Sequence, residues 1–287
     1  MDITSTSVFL ISLLGITQFI NQGSVFNNYL ILGEQPYSAG IFGIAKEYIF
    51  GRYLIPAYGL FRHPNAFGGY LAIILSWLFC FIKKRKSYFV SFLLGLIAII
   101  FTFSYVSWFT LIFGIVFHLI FSKNPQKIRK YKKSAVVVVL TIFLFSLSLP
   151  VLRMLNLNFE GNRSVTRRID FTSASYRMIK DNFLFGVGFN NFTVFVDKYN
   201  YDSSDLRFSQ PVHNIFLLIF SESGIFGFLL FISLIGFSLK RLVNSSYFHV
   251  FLISLLQIVL LGSFDHYLFT IHQTLLLFWI IFGLSLQ

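Results

Sequence analysis

Residues 88–121, YFVSFLLGLIAIIFTFSYVSWFTLIFGIVFHLIF, form a run of 34 residues without an acidic, lysine or arginine side chain. As one α-helix this run would measure about 51 Å, whereas the hydrocarbon core of a bilayer is about 30 Å thick. We therefore divide the run at Ser104-Tyr105 into two membrane-spanning helices, 88–103 and 106–121. Because each span reverses the direction of the chain, this division fixes the side of the membrane on which every later segment lies.

The composition of the chain indicates an integral membrane protein. Hydrophobic residues make up 56% of the chain and charged residues 12%, about half the charged share of a soluble domain. The remaining candidate spans are 7–20, 66–82, 135–152, 213–239, 247–263 and 268–285. With the divided run, they predict an all-α membrane protein with about eight transmembrane helices, forming a single polytopic domain over residues 1–287.

The basic side chains support this topology. They concentrate in three clusters, at residues 83–86, 123–133 and 240–241. With eight spans all three clusters lie on the same side of the membrane, which the positive-inside rule identifies as cytoplasmic. The net charge of +12 therefore reflects topology, and we expect the lipid bilayer and no nucleic acid as a partner.

The opposite, extracytoplasmic face receives one long segment, residues 153–212. Its 60 residues far exceed the few residues of an ordinary connection between helices. The segment is rich in aromatic residues, which favours packing over disorder. We predict a large extracytoplasmic loop with an amphipathic helix at 165–182, a turn at Gly186 and Gly188, and a second short helix at 189–200.

Four motifs follow one another along the chain: GLFRHPNAFGGYLA (59–72), RRIDFTSASYRMIKDNFLFGVGFNNF (167–192), HNIFLLIFSESGIFG (213–227) and FDHYLFTIHQTLLLFWIIFGL (264–284). In this order they resemble the motifs of the O-antigen ligase and polymerase superfamily. Members of that family are inverting glycosyltransferases of the inner (plasma) membrane. They move a glycan from an undecaprenyl-diphosphate carrier to a hydroxyl of lipid A core, of a growing polysaccharide or of a protein. The resemblance implies this activity at the extracytoplasmic face, with no metal and no other cofactor.

Such a reaction needs a base for the acceptor hydroxyl and fixed cations for the departing diphosphate. The resemblance places the base at His213, since a neutral imidazole is available near pH 7. It places the main diphosphate ligand at Arg168, since a guanidinium binds two oxygens at once. Further substrate-binding candidates are Arg62, His63, Asn65, Arg167, Arg177, Asn214, Glu222, Asp265 and His266.

Several of these candidates also have a structural interpretation. Asn214 and Asn65 suit the N-caps of the helices that follow them. Asp265 and His266 either orient His213, bind sugar hydroxyls or belong to a solvated turn. Any one of the loop arginines alternatively contacts anionic lipid.

Glu222 lies nine residues after His213. In a regular helix this spacing puts the carboxylate half a turn away and about 13 Å deeper, so we expect no contact between the two side chains. An ionisable group at that depth favours the interior of the helix bundle or an acceptor channel. Gly224 and Gly227 would then allow another helix to approach closely.

Three positions depart from the pattern of the family. Tyr105 and Pro56 stand where relatives often carry arginine, and Phe183 stands where proline is usual. The two missing arginines leave a catalytically degenerate scaffold of polysaccharide assembly as one alternative. A transporter or flippase for lipid-linked sugar is another, although such proteins often carry an inverted repeat and polar groups in both halves.

Overall fold

The computed structural model describes residues 2–49, 51–121, 163–199, 210–242 and 248–285, and these are mostly helical. The helices are α1 (Asp2–Asn21), α2 (Tyr29–Leu32), α3 (Pro64–Phe81), α4 (Lys86–Phe101), α5 (Tyr105–Phe121), α6 (Arg163–Asp181), α7 (Phe192–Tyr199), α8 (Ile215–Leu242), α9 (Phe248–Phe264), α10 (Tyr267–Thr270) and α11 (His272–Ser285). Between α2 and α3, strands β1 (Glu47–Ile49) and β2 (Arg52–Leu54) pair as an antiparallel hairpin. The predicted helical class is confirmed, and this hairpin is the departure from it among the described residues.

Among the described residues, three helices are long and apolar enough to cross a membrane, namely α1, α3 and α8. Shorter apolar helices cover the predicted spans 88–103, 106–121 and 247–263. The predicted span 268–285 is divided, because α10 ends at Thr270 and α11 begins at His272. The predicted span 135–152 lies outside the described residues, so the count of eight spans stays a prediction.

The long apolar run breaks where the sequence analysis divides it. Helix α4 ends at Phe101 and α5 begins at Tyr105. Phe103 adopts a left-handed backbone conformation with φ 51°, which ends the first helix. At the start of the second helix, the hydroxyls of Ser104 and Ser107 are hydrogen-bonded to each other at 2.8 Å.

The chain groups into two compact units. The first consists of Met1–Lys127, His249–Gln257 and Ile271–Ile281; the second consists of Ile128–Phe248, Ile258–Thr270 and Phe282–Gln287. Each is described by itself below. The single domain over residues 1–287, with 153–212 as its extracytoplasmic loop, stays a prediction.

Helix α3 forms the core of the first unit and packs against α4 and α5. Its Phe67, Leu71 and Leu75 side chains are fully buried. Small residues bring the neighbouring helices close: a Cβ added to Gly95 of α4 would lie 2.4 Å from Leu75 Cδ2. Close approach through glycine is a common way of packing helices in a membrane, where lipid is as apolar as the side chains.

A buried glutamine joins the first part of α9 to this core. The Gln257 side-chain amide donates to the Ala72 carbonyl (3.2 Å), to the Ser76 hydroxyl (2.8 Å) and to the Thr110 carbonyl (3.0 Å). One side chain therefore contacts both α3 and α5. Such polar bonds strengthen helix association in an apolar surrounding by about 0.6–2 kcal/mol.

The segment after α1 is held by a buried carboxylate, that of Glu34. It accepts hydrogen bonds from the Gln18 side-chain amide (2.8 Å) and from the backbone N–H groups of Val25, Phe26 and Asn27 (2.7, 2.5 and 3.1 Å). Gln18 in turn donates to the Gly59 carbonyl and accepts from the Gly59 N–H. The two side chains therefore connect α1, the residues after it and the approach to α3.

We expect Glu34→Gln to destabilise the first unit by about 1–3 kcal/mol, because an amide NH₂ would replace one of the two acceptor oxygens that face backbone N–H groups. The measurement is thermal unfolding of the purified protein in detergent. Glu47→Gln, which alters an acid of the β1 strand in the same segment, is the matched control. Equal melting temperatures for the two variants would contradict this interpretation of Glu34.

The core of the second unit lies between α6, α7 and the first part of α8. Met178, Phe192, Val196, Leu217 and Leu218 pack together there. Helices α6 and α7 occupy the places of the two helices predicted within 153–212. Their apolar faces are thus buried against α8, as the aromatic content of this segment predicts.

Helix α8 is broken at Gly224, whose φ of 66° and ψ of −169° lie outside the helical region. The backbone of residues 183–188 pairs with the exposed peptide groups at the break. Val187 N–H and Gly188 N–H donate to the Ser221 and Glu222 carbonyls (both 2.9 Å), and Ile225 N–H donates to the Phe183 carbonyl (2.8 Å). The expectations of a regular helix here, and of another helix packing at Gly224, are therefore wrong: a non-helical segment packs at the break.

Two glycines make this contact possible. A Cβ at Gly224 would lie 2.3 Å from the Leu184 carbonyl oxygen, and one at Gly186 would lie 2.4 Å from the Glu222 carbonyl carbon. Both residues also have positive φ, 66° and 68°. Backbone cannot move aside as a flexible side chain can, so only glycine fits at either position.

We expect Gly224→Ala to destabilise the second unit by about 3 kcal/mol, through steric overlap and left-handed strain. Gly236→Ala is the matched control in the same helix, because its added Cβ meets no atom within 4 Å and alanine favours helix. The measurement is the melting temperature of each variant in the same detergent. Equal effects of the two substitutions would contradict the close backbone contact.

Candidate active site

The second unit positions the predicted base, His213, through the neighbouring Asn214. The Asn214 side-chain carbonyl accepts from the Phe216 and Leu217 N–H groups (2.9 and 3.1 Å), and its NH₂ donates to the Ser263 carbonyl (3.1 Å). The first two bonds make Asn214 the N-cap of α8, as its structural interpretation predicts. The third ties this cap to the end of α9, so one side chain fixes where residue 213 lies.

His213, Asp265 and His266 form a compact cluster at this junction. The rings of His213 and His266 meet edge to face, with centroids 5.1 Å apart. One potential ligand atom from each of the three residues lies within 4.8 Å of the others. Gly262 allows the approach of the two helices, because an added Cβ would lie 2.4 Å from Ile215 Cδ1.

Arg168 reaches the same junction from α6. Its guanidinium donates to the Phe264 carbonyl at 3.2 Å. Phe264 is the last residue of α9 and immediately precedes Asp265. A cation at the C-terminal carbonyls of a helix complements the helix dipole. The structure thus brings the predicted imidazole base and the predicted guanidinium to one end of α9.

The Thr270 hydroxyl contacts two polar atoms of His266. Its oxygen lies 3.2 Å from the His266 carbonyl and 2.7 Å from His266 Nδ1. The direction of the bond to Nδ1 is set by the tautomer of the ring. With either tautomer, these contacts hold the imidazole beside α10.

Electrostatics favour the neutral form of His266. Burial lowers the pKa of His266; the Asp265 carboxylate opposes that shift and the Arg168 charge adds to it. The neutral imidazole can accept a proton or bind a cation through its unprotonated nitrogen.

Glu222 and Arg177 contact the two ends of α7. The Glu222 carboxylate accepts from the Phe192 N–H (3.1 Å), which opens α7. The Arg177 guanidinium donates to the carbonyl of Tyr199 (2.9 Å), which closes it. An anion at the first turn and a cation at the last both stabilise a helix, so these contacts support structural roles for two residues predicted to bind substrate.

Arg62, His63 and Asn65 lie at the start of α3 in the first unit. His63 is the N-cap, because its Nδ1 accepts from the Asn65 N–H at 3.1 Å, and Pro64 occupies the first turn. The expectation that Asn65 is the cap is therefore wrong. Arg62 is exposed, and the binding roles of all three stay predictions.

Arg167 is partly buried on α6, beside Arg168. Its binding role stays a prediction, as do the roles of the other site residues.

Thr270 and the carbonyls of Ser263 and Phe264 contact the candidate site without having been predicted from the sequence. A weak signal for Thr270 exists, because it follows His266 by four residues and so lies on the same face of a helical turn. The two carbonyls carry no signal, since every residue has one. Asp170, a buried acid on α6 with 4% of its surface exposed, was not among the predicted residues either.

Apolar helices and a cluster of imidazole, carboxylate and guanidinium groups define a membrane protein with a polar site between helix ends. The family model described as O-antigen ligase matches residues 90–232. The matched range contains the second and third of the four motifs, and the chain belongs to the O-antigen ligase and polymerase superfamily. No curated protein and no solved structure gives a significant match.

The matched range contains Arg168, His213 and Glu222 but ends before Asp265 and His266. Asp265 and His266 therefore enter the site on the evidence of the geometry and of the fourth motif. A function of the O-antigen ligase or polymerase type is supported at the level of the family.

We expect Arg177→Ala to loosen α7, because the last carbonyl of that helix would lose its cation. The measurement is hydrogen exchange of the α7 amides, with faster exchange by a factor of about 5, equivalent to about 1 kcal/mol. Lys180→Ala is the matched control, since Lys180 is an exposed cation on α6, the helix that carries Arg177. If Arg177→Ala left exchange unchanged and raised KM for the donor, Arg177 would bind substrate instead.

Proposed function

We propose that this protein is a membrane glycosyltransferase that moves a glycan from an undecaprenyl-diphosphate carrier to an acceptor hydroxyl. The acceptor is a sugar of lipid A core, of a growing polysaccharide or of a glycosylated protein. The reaction inverts the anomeric centre and needs no metal. It takes place at the extracytoplasmic face of the inner (plasma) membrane.

One observation carries this proposal: Arg168 and His213 approach the same end of α9. Arg168 donates to the Phe264 carbonyl. The ring of His213 packs on that of His266, which follows Phe264 by two residues. A base and a cation at one place meet the two needs of the reaction. The family match, which covers both residues, supports the same conclusion independently.

In the proposed reaction, the acceptor oxygen attacks the anomeric carbon from the face opposite the diphosphate. His213 takes the proton of the acceptor hydroxyl as the new carbon–oxygen bond forms. The bond from the anomeric carbon to the diphosphate breaks, and the diphosphate leaves with the electron pair. Arg168 stabilises the charge that develops on it.

The neighbours of His213 have positioning roles in this scheme. Asn214 holds the backbone at residue 213 through the α8 cap and the Ser263 carbonyl. Asp265 and His266 present a carboxylate and an imidazole that orient His213 or bind sugar hydroxyls. Arg62, His63, Asn65 and Arg167 are assigned to contacts with the carrier or the glycan.

The proposed roles predict the activity of four variants. With a labelled undecaprenyl-diphosphate-linked glycan and purified protein in liposomes, we expect His213→Ala to lower transfer by about 10² to 10⁴-fold and Arg168→Ala by about 10² to 10³-fold. His272→Ala and Arg52→Ala, which remove an exposed histidine and an exposed arginine elsewhere, should keep wild-type rates.

Because Arg168 also donates to the Phe264 carbonyl, its removal could lower stability as well as activity. The melting temperature of each variant is therefore measured together with its rate. Arg168→Lys, which keeps the charge but loses the paired donors, separates loss of folding from loss of chemistry. It should fold as the wild type does and remain slow. Full activity of His213→Ala would contradict the assignment of His213 as the base. Movement of the labelled carrier across the bilayer without glycan transfer would indicate that the protein is a flippase.

A further inference from the structure

The cluster of His213, Asp265 and His266 is also a set of metal ligands. Three atoms that lie within 4.8 Å of one another are at most about 2.8 Å from a common centre, and bonds of nitrogen or oxygen to Zn²⁺ are about 2.0–2.2 Å long. Shifts of about 0.7 Å therefore bring all three onto one ion.

The types of ligand select the class of ion. Two imidazoles and one carboxylate, with a fourth position open to water, form a common donor set of protein-bound zinc. Mg²⁺ and Ca²⁺ prefer oxygen ligands throughout. This cluster therefore favours a divalent transition-metal ion over the hard cations.

A second layer of contacts supports the same interpretation. The Thr270 hydroxyl lies 2.7 Å from His266 Nδ1, so a proton on Nδ1 would be donated to the hydroxyl oxygen when Nε2 binds an ion. Metal-binding histidines commonly donate their other ring N–H in this way, which fixes the ring and directs the remaining lone pair at the ion. The bond from the His266 N–H to Asp265 Oδ1 (2.8 Å) holds the carboxylate beside it.

The charges around the cluster limit the affinity. The carboxylate of Asp265 attracts a cation, whereas the guanidinium of Arg168, which faces His266, repels it. The site is thus suited to reversible binding and not to a permanently held structural ion.

We propose that His213, Asp265 and His266 bind a divalent transition-metal ion such as Zn²⁺, and that the bound ion inhibits glycan transfer by occupying the lone pair of His213. The binding site stands on the geometry alone. The inhibition rests on the proposed function, because it requires His213 to be the base. A free imidazole is active in this scheme, and a metal-bound one is not.

Titration of the full-length protein in nanodiscs, after removal of metal with EDTA, tests the binding. We expect Zn²⁺ to bind with one-to-one stoichiometry and Mg²⁺ at the same concentrations not to bind. His266→Ala should weaken Zn²⁺ binding at least 10-fold, and Thr270→Val should weaken it by about 10-fold through loss of the second-layer contact. Co²⁺ in place of Zn²⁺ should give visible absorption bands of a nitrogen- and oxygen-ligated ion.

Two control variants separate this cluster from other ligands. Cys80→Ser removes a thiol that lies 3.2 Å from His118 Nδ1 in the first unit, and His272→Ala removes an exposed imidazole. Both should bind Zn²⁺ as the wild type does. Absence of Zn²⁺ binding, or binding that Cys80→Ser abolishes and His266→Ala leaves intact, would overturn the site.

The transfer assay tests the inhibition. Zn²⁺ should inhibit the wild type, EDTA should restore activity, and Thr270→Val should shift the inhibiting concentration by the same factor as its dissociation constant. Zn²⁺ that binds without inhibiting transfer would overturn the inhibitory role. An active protein that binds no Zn²⁺ contradicts the metal site and leaves the proposed function standing. An inactive protein that binds Zn²⁺ contradicts the proposed function, and with it the inhibitory role, but leaves the metal site standing.

Discussion

Inside a bilayer, every peptide group at a helix break needs a hydrogen-bond partner from the protein, because lipid offers none. In the second unit, protein groups bond to the peptide groups at one break, in α8, and at one junction of helix ends. At Gly224, the backbone of residues 183–188 bonds to the exposed peptide groups of α8. Where α8 begins and α9 ends, the Asn214 amide and the Arg168 guanidinium bond to N–H and carbonyl groups of both helices. The candidate active site lies at this junction, so the groups that complete the backbone also position the chemistry.

Much of the fold follows from the sequence because helix length is set by bilayer thickness. The break between α4 and α5 was predictable, since 34 apolar residues are too long for one span. The helices α6 and α7 were predictable from amphipathic spacing and from turn-forming glycines. The hairpin of β1 and β2 was not, because three-residue strands carry no periodicity that distinguishes them from a loop.

The candidate site was predictable in its residues more than in its contacts. His213 and Arg168 come from the motifs, and both reach the end of α9. Glu222 was predicted to face the bundle interior or an acceptor channel, and in the structure its carboxylate accepts from the Phe192 N–H, the first of α7. Arg177 was assigned to substrate, and it caps the other end of α7. Long-range partners of this kind depend on which backbone atoms happen to lie nearby, and sequence spacing does not encode them.

The contact between residues 183–188 and the break in α8 has a mechanical consequence. Glu222 belongs to α8 and bonds to α7, and the peptide groups beside it bond to the chain that leads into α7. Three backbone bonds and a carboxylate join these pieces, so the break in α8 and the short helix α7 are mechanically coupled. A displacement of α7 would therefore also displace the backbone of α8 at the break.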